Sequence, residues 1–205
     1  NEGGSFAWSQ TFGVSGKRDG ANNVIATSSS VYVAGFKTGA DGTPDRHLIR
    51  YDLVTGNLIW EVSFRDSRPN TEGAFEVVQL TADGGLVLGG VTNAQTETLE
   101  GFKSYGNPTS GTASLVYLSA SAINSMSPPS METWSKTYSD SVSVKGLRAL
   151  AEGGFVLLTA GPEGEDTTYI KRLDAQADVL WSKAFTEHGE ATALAVLSKA
   201  NKSEG

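Results

Sequence analysis

Apolar and polar residues alternate along most of this chain in short runs, and four of those runs share one opening. They read AWSQTF at Trp8, IWEVSF at Trp60, TWSKTY at Trp134 and LWSKAF at Trp181. In each, a tryptophan is followed by three mostly polar residues and then an aromatic. Alternation over five positions puts one set of side chains on one face of an extended chain and the rest on the other. Each phrase therefore predicts a half-buried strand. No stretch carries a clean 3.6-residue period. The nearest, EATALAVLSKA near the C-terminus, falls at the second strand position of its repeat and reads as strand.

The longer stretch after each tryptophan also recurs. The second unit runs LIWEVSF, FEVVQLTA, GLVLGGV and SLVYLSA, four strand-like runs in order. Turn sequences of one type join its middle pair, at Ala82 to Gly85, and recur from Ala151 to Gly154. Paired glycines there suit the positive φ of tight hairpin turns. A second turn, Asp52 to Gly56, leads into the next tryptophan run, and Leu173 to Asp178 repeats it without the glycine. Trp8, Trp60, Trp134 and Trp181 lie 52, 74 and 47 residues apart. Two of those spacings are near the roughly 40 to 50 residues of a four-stranded propeller blade, and the middle one carries an insertion.

The expected fold is all-β: a partial β-propeller of antiparallel four-stranded blades, about three complete blades plus part of a fourth. It forms one region, residues 1–205, with repeats at about 6–58, 59–132, 133–179 and 180–205, the last incomplete. Propellers close at about 4 to 8 blades, because each blade covers its neighbour's face. The chain is therefore expected to be a piece of a longer repeat protein, or else to associate with a partner or another copy. Its start, Asn-Glu-Gly-Gly, fits a processed or excised piece.

The segment around Trp8, Phe12, Gly13, Ser15, Gly16 and Asp19, followed by Val31 to Gly35, resembles the bacterial β-propeller repeats of the SBBP and PQQ-like kind. The later units keep the tryptophan, the aromatic and the strand pattern but lose the Gly-Ser-Gly-Asp segment. The resemblance spans nearly the whole chain as a pattern, and its motifs pack blades and make turns. It implies a blade fold and assigns no activity. Quinone-dependent dehydrogenases use similar blades but add a calcium site, a stacking tryptophan and usually vicinal cysteines. This chain has no cysteine.

Composition narrows the function classes further. A net charge of −7 with no basic, aromatic-laced cluster opposes a nucleic-acid or anionic-membrane surface. No apolar stretch approaches the ~18 residues of a membrane span, so membrane insertion is not expected. The absence of cysteine removes disulfides, thiolate metal sites and a cysteine nucleophile. Asn201-Lys202-Ser203 is a glycosylation sequon, informative only in a eukaryotic host.

Candidate chemistry is sparse. Gly39 to Asp45 contains D-G-x-x-D, the tail half of a propeller calcium loop, with Asp41 and Asp45 as its ligands. A full loop needs six to eight oxygens, and Lys37 and Gly39 stand where earlier carboxylates belong. The same residues are ordinary turn formers. Glu163, Glu165 and Asp166 occupy the matching loop of the third unit and could grip a cation, although such a run is more often a solvated loop tip. His47 and His188 lie in different units, with Glu187 and Glu190 beside the latter. No G-x-S-x-G elbow occurs for a nucleophilic serine. The tryptophans could stack on sugars, but recurrence at one repeat position is the mark of blade packing.

The insertion from Asn93 to Thr112 is rich in Gly, Thr, Ser and Asn, reads as an exposed loop, and carries Phe102 and Tyr105 as the preferred contact residues. A second irregular stretch, Ser121 to Pro129, reads as a rerouting segment. The leading expectation is a noncatalytic binding or scaffold module without a cofactor, with calcium as the one candidate. It would be exported (extracellular, periplasmic or cell-surface) and contact a protein or glycan, or the rest of its own propeller, through blade loops. The alternative is a fragment of a propeller enzyme whose catalytic residues lie mostly outside this chain. Ionisable residues converging on the ring axis would favour the enzyme.

Overall fold

The structure is a computed structural model that describes residues 7–65, 71–95, 110–162, 165, 167–186 and 194. The chain folds as part of a β-propeller: three four-stranded antiparallel sheets in sequence order, each made of four consecutive strands. The first holds β1 (Gly20–Ala26), β2 (Ser30–Thr38), β3 (Pro44–Asp52) and β4 (Leu58–Phe64). The second holds β5 (Thr71–Leu80), β6 (Leu86–Gln95), β7 (Thr112–Leu118) and β8 (Trp134–Tyr138). The third holds β9 (Ser143–Ala149), β10 (Phe155–Ala160), β11 (Thr168–Leu173) and β12 (Val179–Phe185).

The first strands, β1, β5 and β9, pack beside one another, as innermost strands do around a propeller axis. The tryptophan strand closes a sheet instead of opening one. Trp60 pairs back across from Arg50, and Trp134 from Tyr117. The sequence repeat and the sheet are thus out of phase by one strand. The cause is local: Asp52 N donates to Asn57 O at 2.9 Å, a tight turn that forces β4 to pair with β3. In that turn Gly56 takes a φ of 71°, and Ala177 takes 63° at the matching place before β12.

The alternation read from sequence decides which sheets touch. From the middle sheet, Leu86, Leu88, Val116 and Leu118 face the first sheet, where they meet Tyr32, Leu48, Trp60 and Phe64. Their neighbours Val87, Ala113 and Leu115 face the third sheet and meet Val144, Leu147, Phe155 and Leu157. Both faces of the middle sheet are therefore buried, which is why GLVLGGV reads as a continuous apolar run. At ~1.5–3 kcal/mol per buried large side chain, these two interfaces dominate the stability.

Three expectations are corrected. The first tryptophan phrase forms no strand: residues 7–19 lie against the first sheet, with Trp8 Nε1 donating to Leu53 O at 2.9 Å. An extended phrase becomes a strand only with a ladder partner, and none lies beside this one among the described residues. Asn93 to Gln95 and Thr112 belong to β6 and β7 instead of a loop. Ser121 to Pro129 does more than reroute the chain. It contains most of a one-turn helix, α1 (Ala120–Asn124), capped by Ser119 Oγ accepting from Ala122 N, and it buries Ile123. A five-residue helix is too short to leave a 3.6-residue pattern. Among the described residues no helix is long and apolar enough to cross a membrane. Most of EATALAVLSKA lies outside the described residues, as do His188, Glu187 and Glu190.

Candidate functional site

Three places collect the chain's chemistry, the first of them on the innermost strands. Asn22, Glu76 and Lys145 are each skipped by the ladder, so two residues oppose one on the neighbouring strand. Such a bulge re-aims a side chain and leaves it outside the pairing. The three positions are equivalent, each four residues before the end of its strand. Asn22 Nδ2 donates to Phe75 O at 2.8 Å, and Lys145 Nζ lies 3.5 Å from Glu76 Oε2. Nearby, Arg18 forms an ion pair with the fully buried Glu72. Burial pushes the Glu76 carboxyl up to about 7, with Lys145 pulling the other way. Its Oε1 is buried and meets no hydrogen-bond donor among the described residues. Glu76 is therefore half-ionised near neutrality, as an acid–base group would be. Arg18 with Glu72 and Lys145 with Glu76 nonetheless form opposite-charge pairs between adjacent segments.

The second place is the outward face of the first sheet. His47 Nδ1 contacts Ser63 Oγ at 2.9 Å, His47 Nε2 contacts Glu61 Oε2 at 3.1 Å, and Lys37 Nζ donates to Glu61 Oε1 at 2.7 Å. The Phe12 ring stacks over the imidazole at 6.4 Å. Burial lowers the His47 pKa, and Glu61 offsets this only in part. Burial acts to raise the Glu61 carboxyl, but its bonds to Lys37 and His47 outweigh that and hold it low. The ring is therefore neutral, with Nε2–H donating to Glu61 and Nδ1 accepting from the Ser63 hydroxyl. A serine, a histidine and a glutamate in contact invite comparison with a nucleophilic triad. There the carboxylate stabilises the imidazolium that forms during attack. Glu61 already pairs with Lys37, and a histidine of lowered pKa is a poor base, so the group holds β3 to β4.

Of the residues singled out from sequence, Asp41 and Asp45 are brought together. Asp45 lies in β3, because the β2–β3 hairpin closes early, with Gly39 N donating to Thr43 O at 2.8 Å. Both carboxylates face one cation, Arg65, at 3.7 Å each. Asp41 Oδ1 also accepts from Thr43 Oγ1 at 2.8 Å and Thr43 N at 3.1 Å, which lowers its pKa. Glu165 is exposed in the β10–β11 hairpin of the third sheet, its N–H donating to Pro162 O at 3.1 Å. It does not join the other two: no group of three or more potential metal ligands forms among the described residues. Phe102, Tyr105, Glu163 and Asp166 lie outside the described residues.

The third place was not read from the sequence. Between the second and third sheets, at the β5–β6 and β9–β10 hairpin end, lies a cavity of about 390 Å³. Its walls include Tyr117, Trp134, Phe155, Asp83, Gly154 and Gln176. Tyr117 and Trp134 stack at 5.3 Å, and Trp134 meets Phe155 edge-on at 6.2 Å. Tyr117 OH donates to Asp83 Oδ2 at 2.5 Å, and the carboxylate's other oxygen accepts from Thr81 Oγ1 at the same distance. The available signal was a difference in length. The second unit has a long connection before its closing tryptophan, and the third has only Asp174 to Asp178.

No protein-family model matches the chain, and no curated protein matches it. Among solved structures it is similar to a presumed gluconolactonase, at 13% identity and a TM-score of 0.40 over 88% of this chain and 72% of the other. It is also similar to a eukaryotic initiation factor, at 11% identity and a TM-score of 0.27 over 85% of this chain and 57% of the other.

Proposed function

We propose that this chain is a noncatalytic binding or scaffold module of a larger, exported propeller repeat protein of the SBBP and PQQ-like kind. It contacts a protein or glycan through the loop end of its sheets and works without a cofactor, outside the cell, in the periplasm or at the cell surface. The observation that supports this most is the cavity between the second and third sheets. It is concave, aromatic-walled and of ligand size, in the lower part of the roughly 300–1,000 Å³ range of small-molecule sites. The axis counts the other way, since ionisable groups converge there, although as the opposite-charge pairs Arg18 with Glu72 and Lys145 with Glu76. The net charge of −7 argues for a partner other than nucleic acid.

The competing enzyme reading rests on Glu76, whose carboxyl is poised for proton transfer near neutral pH. Two measurements separate the readings. Residues 1–205 are offered to a glycan array and to a displayed peptide library, and are assayed for turnover of ester, lactone, phosphate and glycoside substrates. The binding module is expected to select saturable ligands and to turn over nothing. Turnover that disappears in Glu76→Gln, in a protein that unfolds like the parent, would overturn it.

A further inference from the structure

We propose that the cavity between the second and third sheets is a docking pocket for an aliphatic side chain presented by a peptide segment of a partner protein. The proposal rests on the binding-module reading and narrows its ligand from protein or glycan to protein. Its argument is internal, because the molecule holds the same crevice twice and fills it once.

Register establishes the equivalence. Trp60 stands opposite Arg50 as Trp134 stands opposite Tyr117. On the adjoining sheet, Leu86 stands opposite Leu80 as Phe155 stands opposite Ala149. In the crevice between the first and second sheets, the chain itself supplies the occupant. Ile123, at the end of α1, is 1% exposed and packs with Tyr32, Trp60 and Leu86. The main chain around it satisfies the polar rim. Ser125 O accepts from Trp60 Nε1 at 3.1 Å and from Arg50 Nη1 at 2.9 Å, and Ile123 O accepts from Tyr32 OH at 3.3 Å. One aliphatic side chain and two carbonyls thus close that crevice.

The second crevice has the aromatic walls and only a small plug, the buried Ala177. The β11–β12 turn closes on itself, Asp174 N donating to Asp178 O at 3.0 Å, and brings only Ala175 and Gln176 to the cavity wall. About 390 Å³ is left, and the half-buried Trp134 has no counterpart of the Trp60–Ser125 bond among the described residues. A peptide that mimics Ile123 and Ser125 offers what is missing: apolar bulk against Trp134 and Phe155, and a carbonyl for the indole. A sugar fits less well. Its hydroxyls need several polar partners, and the wall offers a single carboxylate, Asp83, which already accepts from Thr81, Gly85 and Tyr117 and keeps room for at most one donor more.

The test uses ¹⁵N-labelled residues 1–205, with the Trp134 indole signal assigned by its loss in Trp134→Phe. The probes are a capped peptide of the chain's own plug, Ser-Ala-Ser-Ala-Ile-Asn-Ser, the same peptide with alanine for isoleucine, and cellobiose. The isoleucine peptide is expected to shift the Trp134 indole and the Gly153 and Gly154 amides saturably. The alanine peptide should bind at least fivefold more weakly, and Ala149→Phe, which fills the cavity, should abolish the shifts. Equal binding of the two peptides overturns the proposal. So does a shift with cellobiose alone, although that outcome leaves the binding-module reading standing. Silence of every probe at Trp134 also overturns it, and the module reading is then decided by the selection and turnover assays.

Discussion

The indole Nε1 of Trp60 donates to the carbonyl of Ser125 at 3.1 Å, tying the last strand of the first sheet to the connection between the last two strands of the second. The same tie recurs. Trp8 Nε1 donates to Leu53 O at 2.9 Å, in the β3–β4 turn, and Tyr138 OH donates to Ala177 O at 3.0 Å, in the β11–β12 turn. In each case an aromatic of the tryptophan phrase latches onto the final turn of the next sheet along the chain. Trp181 occupies the same register position and is 51% exposed.

Trp60→Phe should lose the latch at a cost of about 1 kcal/mol, the net worth of one hydrogen bond. Trp60→Ala should cost roughly 3–5 kcal/mol, since it also empties a buried site. Trp181→Ala in residues 1–205 should stay within about 0.5 kcal/mol. Urea denaturation of the three variants checks the order. Equal losses at Trp60 and Trp181 would contradict the latch.

Gly35 and Gly90 sit at the same register position in the first and second sheets, facing the carbonyls of Gly20 and Ala74 across the bulged pair. A Cβ at either position would overlap those backbone oxygens, and backbone cannot step aside. Gly35→Ala and Gly90→Ala should each cost roughly 3 kcal/mol. The control is Gly42→Ala, at a φ of 88° but in open space, which should cost only about 1 kcal/mol. Thermal melts of the three variants distinguish steric overlap from backbone strain.

Glu76 should make the protein less stable as pH rises from about 4.5 to 7. Its carboxyl titrates at about 7 when folded, against 4.5 as its ordinary value, so the folded state binds the extra proton across that window. The loss amounts to roughly 3 kcal/mol at most and is complete above the folded value. His47 acts oppositely: its lowered pKa means the unfolded chain takes up the proton first, so stability falls as pH drops below about 6.5. Comparing Glu76→Gln with the parent by urea titration at several pH values isolates the first effect. A difference that does not change between pH 4.5 and 7 would refute it.

Millimolar calcium should leave the melting temperature unchanged. Asp41 and Asp45 already share Arg65 at 3.7 Å, and a cation entering between them would have to displace an internal one. A rise of several degrees, abolished by Asp41→Ala, would establish a calcium site there, because a ligand of the folded state stabilises by mass action.

The strands were legible because alternation reports which residues face a neighbouring sheet, as at Leu86, Val87 and Leu88, which divide between two interfaces. Their phase was not. The tryptophan run looks the same whether it opens a sheet or closes one, and only the tight Asp52 to Asn57 turn decides. The axial row was hidden because a bulge depends on the opposite strand. Nothing within FEVVQL marks Glu76 as the unpaired residue. The cavity was hidden for a related reason, being the absence of a large plug that is visible only once the two crevices are superposed by register. Asp41 and Asp45 were found as neighbours, but Arg65, twenty residues beyond Asp45 in sequence, was not anticipated as their shared partner.

The bulge row has a consequence for how such a molecule can change over time. Asn22, Glu76 and Lys145 contribute nothing to strand pairing, so replacing one alters no ladder bond and shifts no register. An amide, an acid and an amine already share this position within one chain. Repeat copies that start out identical can therefore diverge in the centre while keeping the same frame around it. A new central chemistry is within reach of one substitution per copy, provided each new charge finds its counterpart on the neighbouring strand.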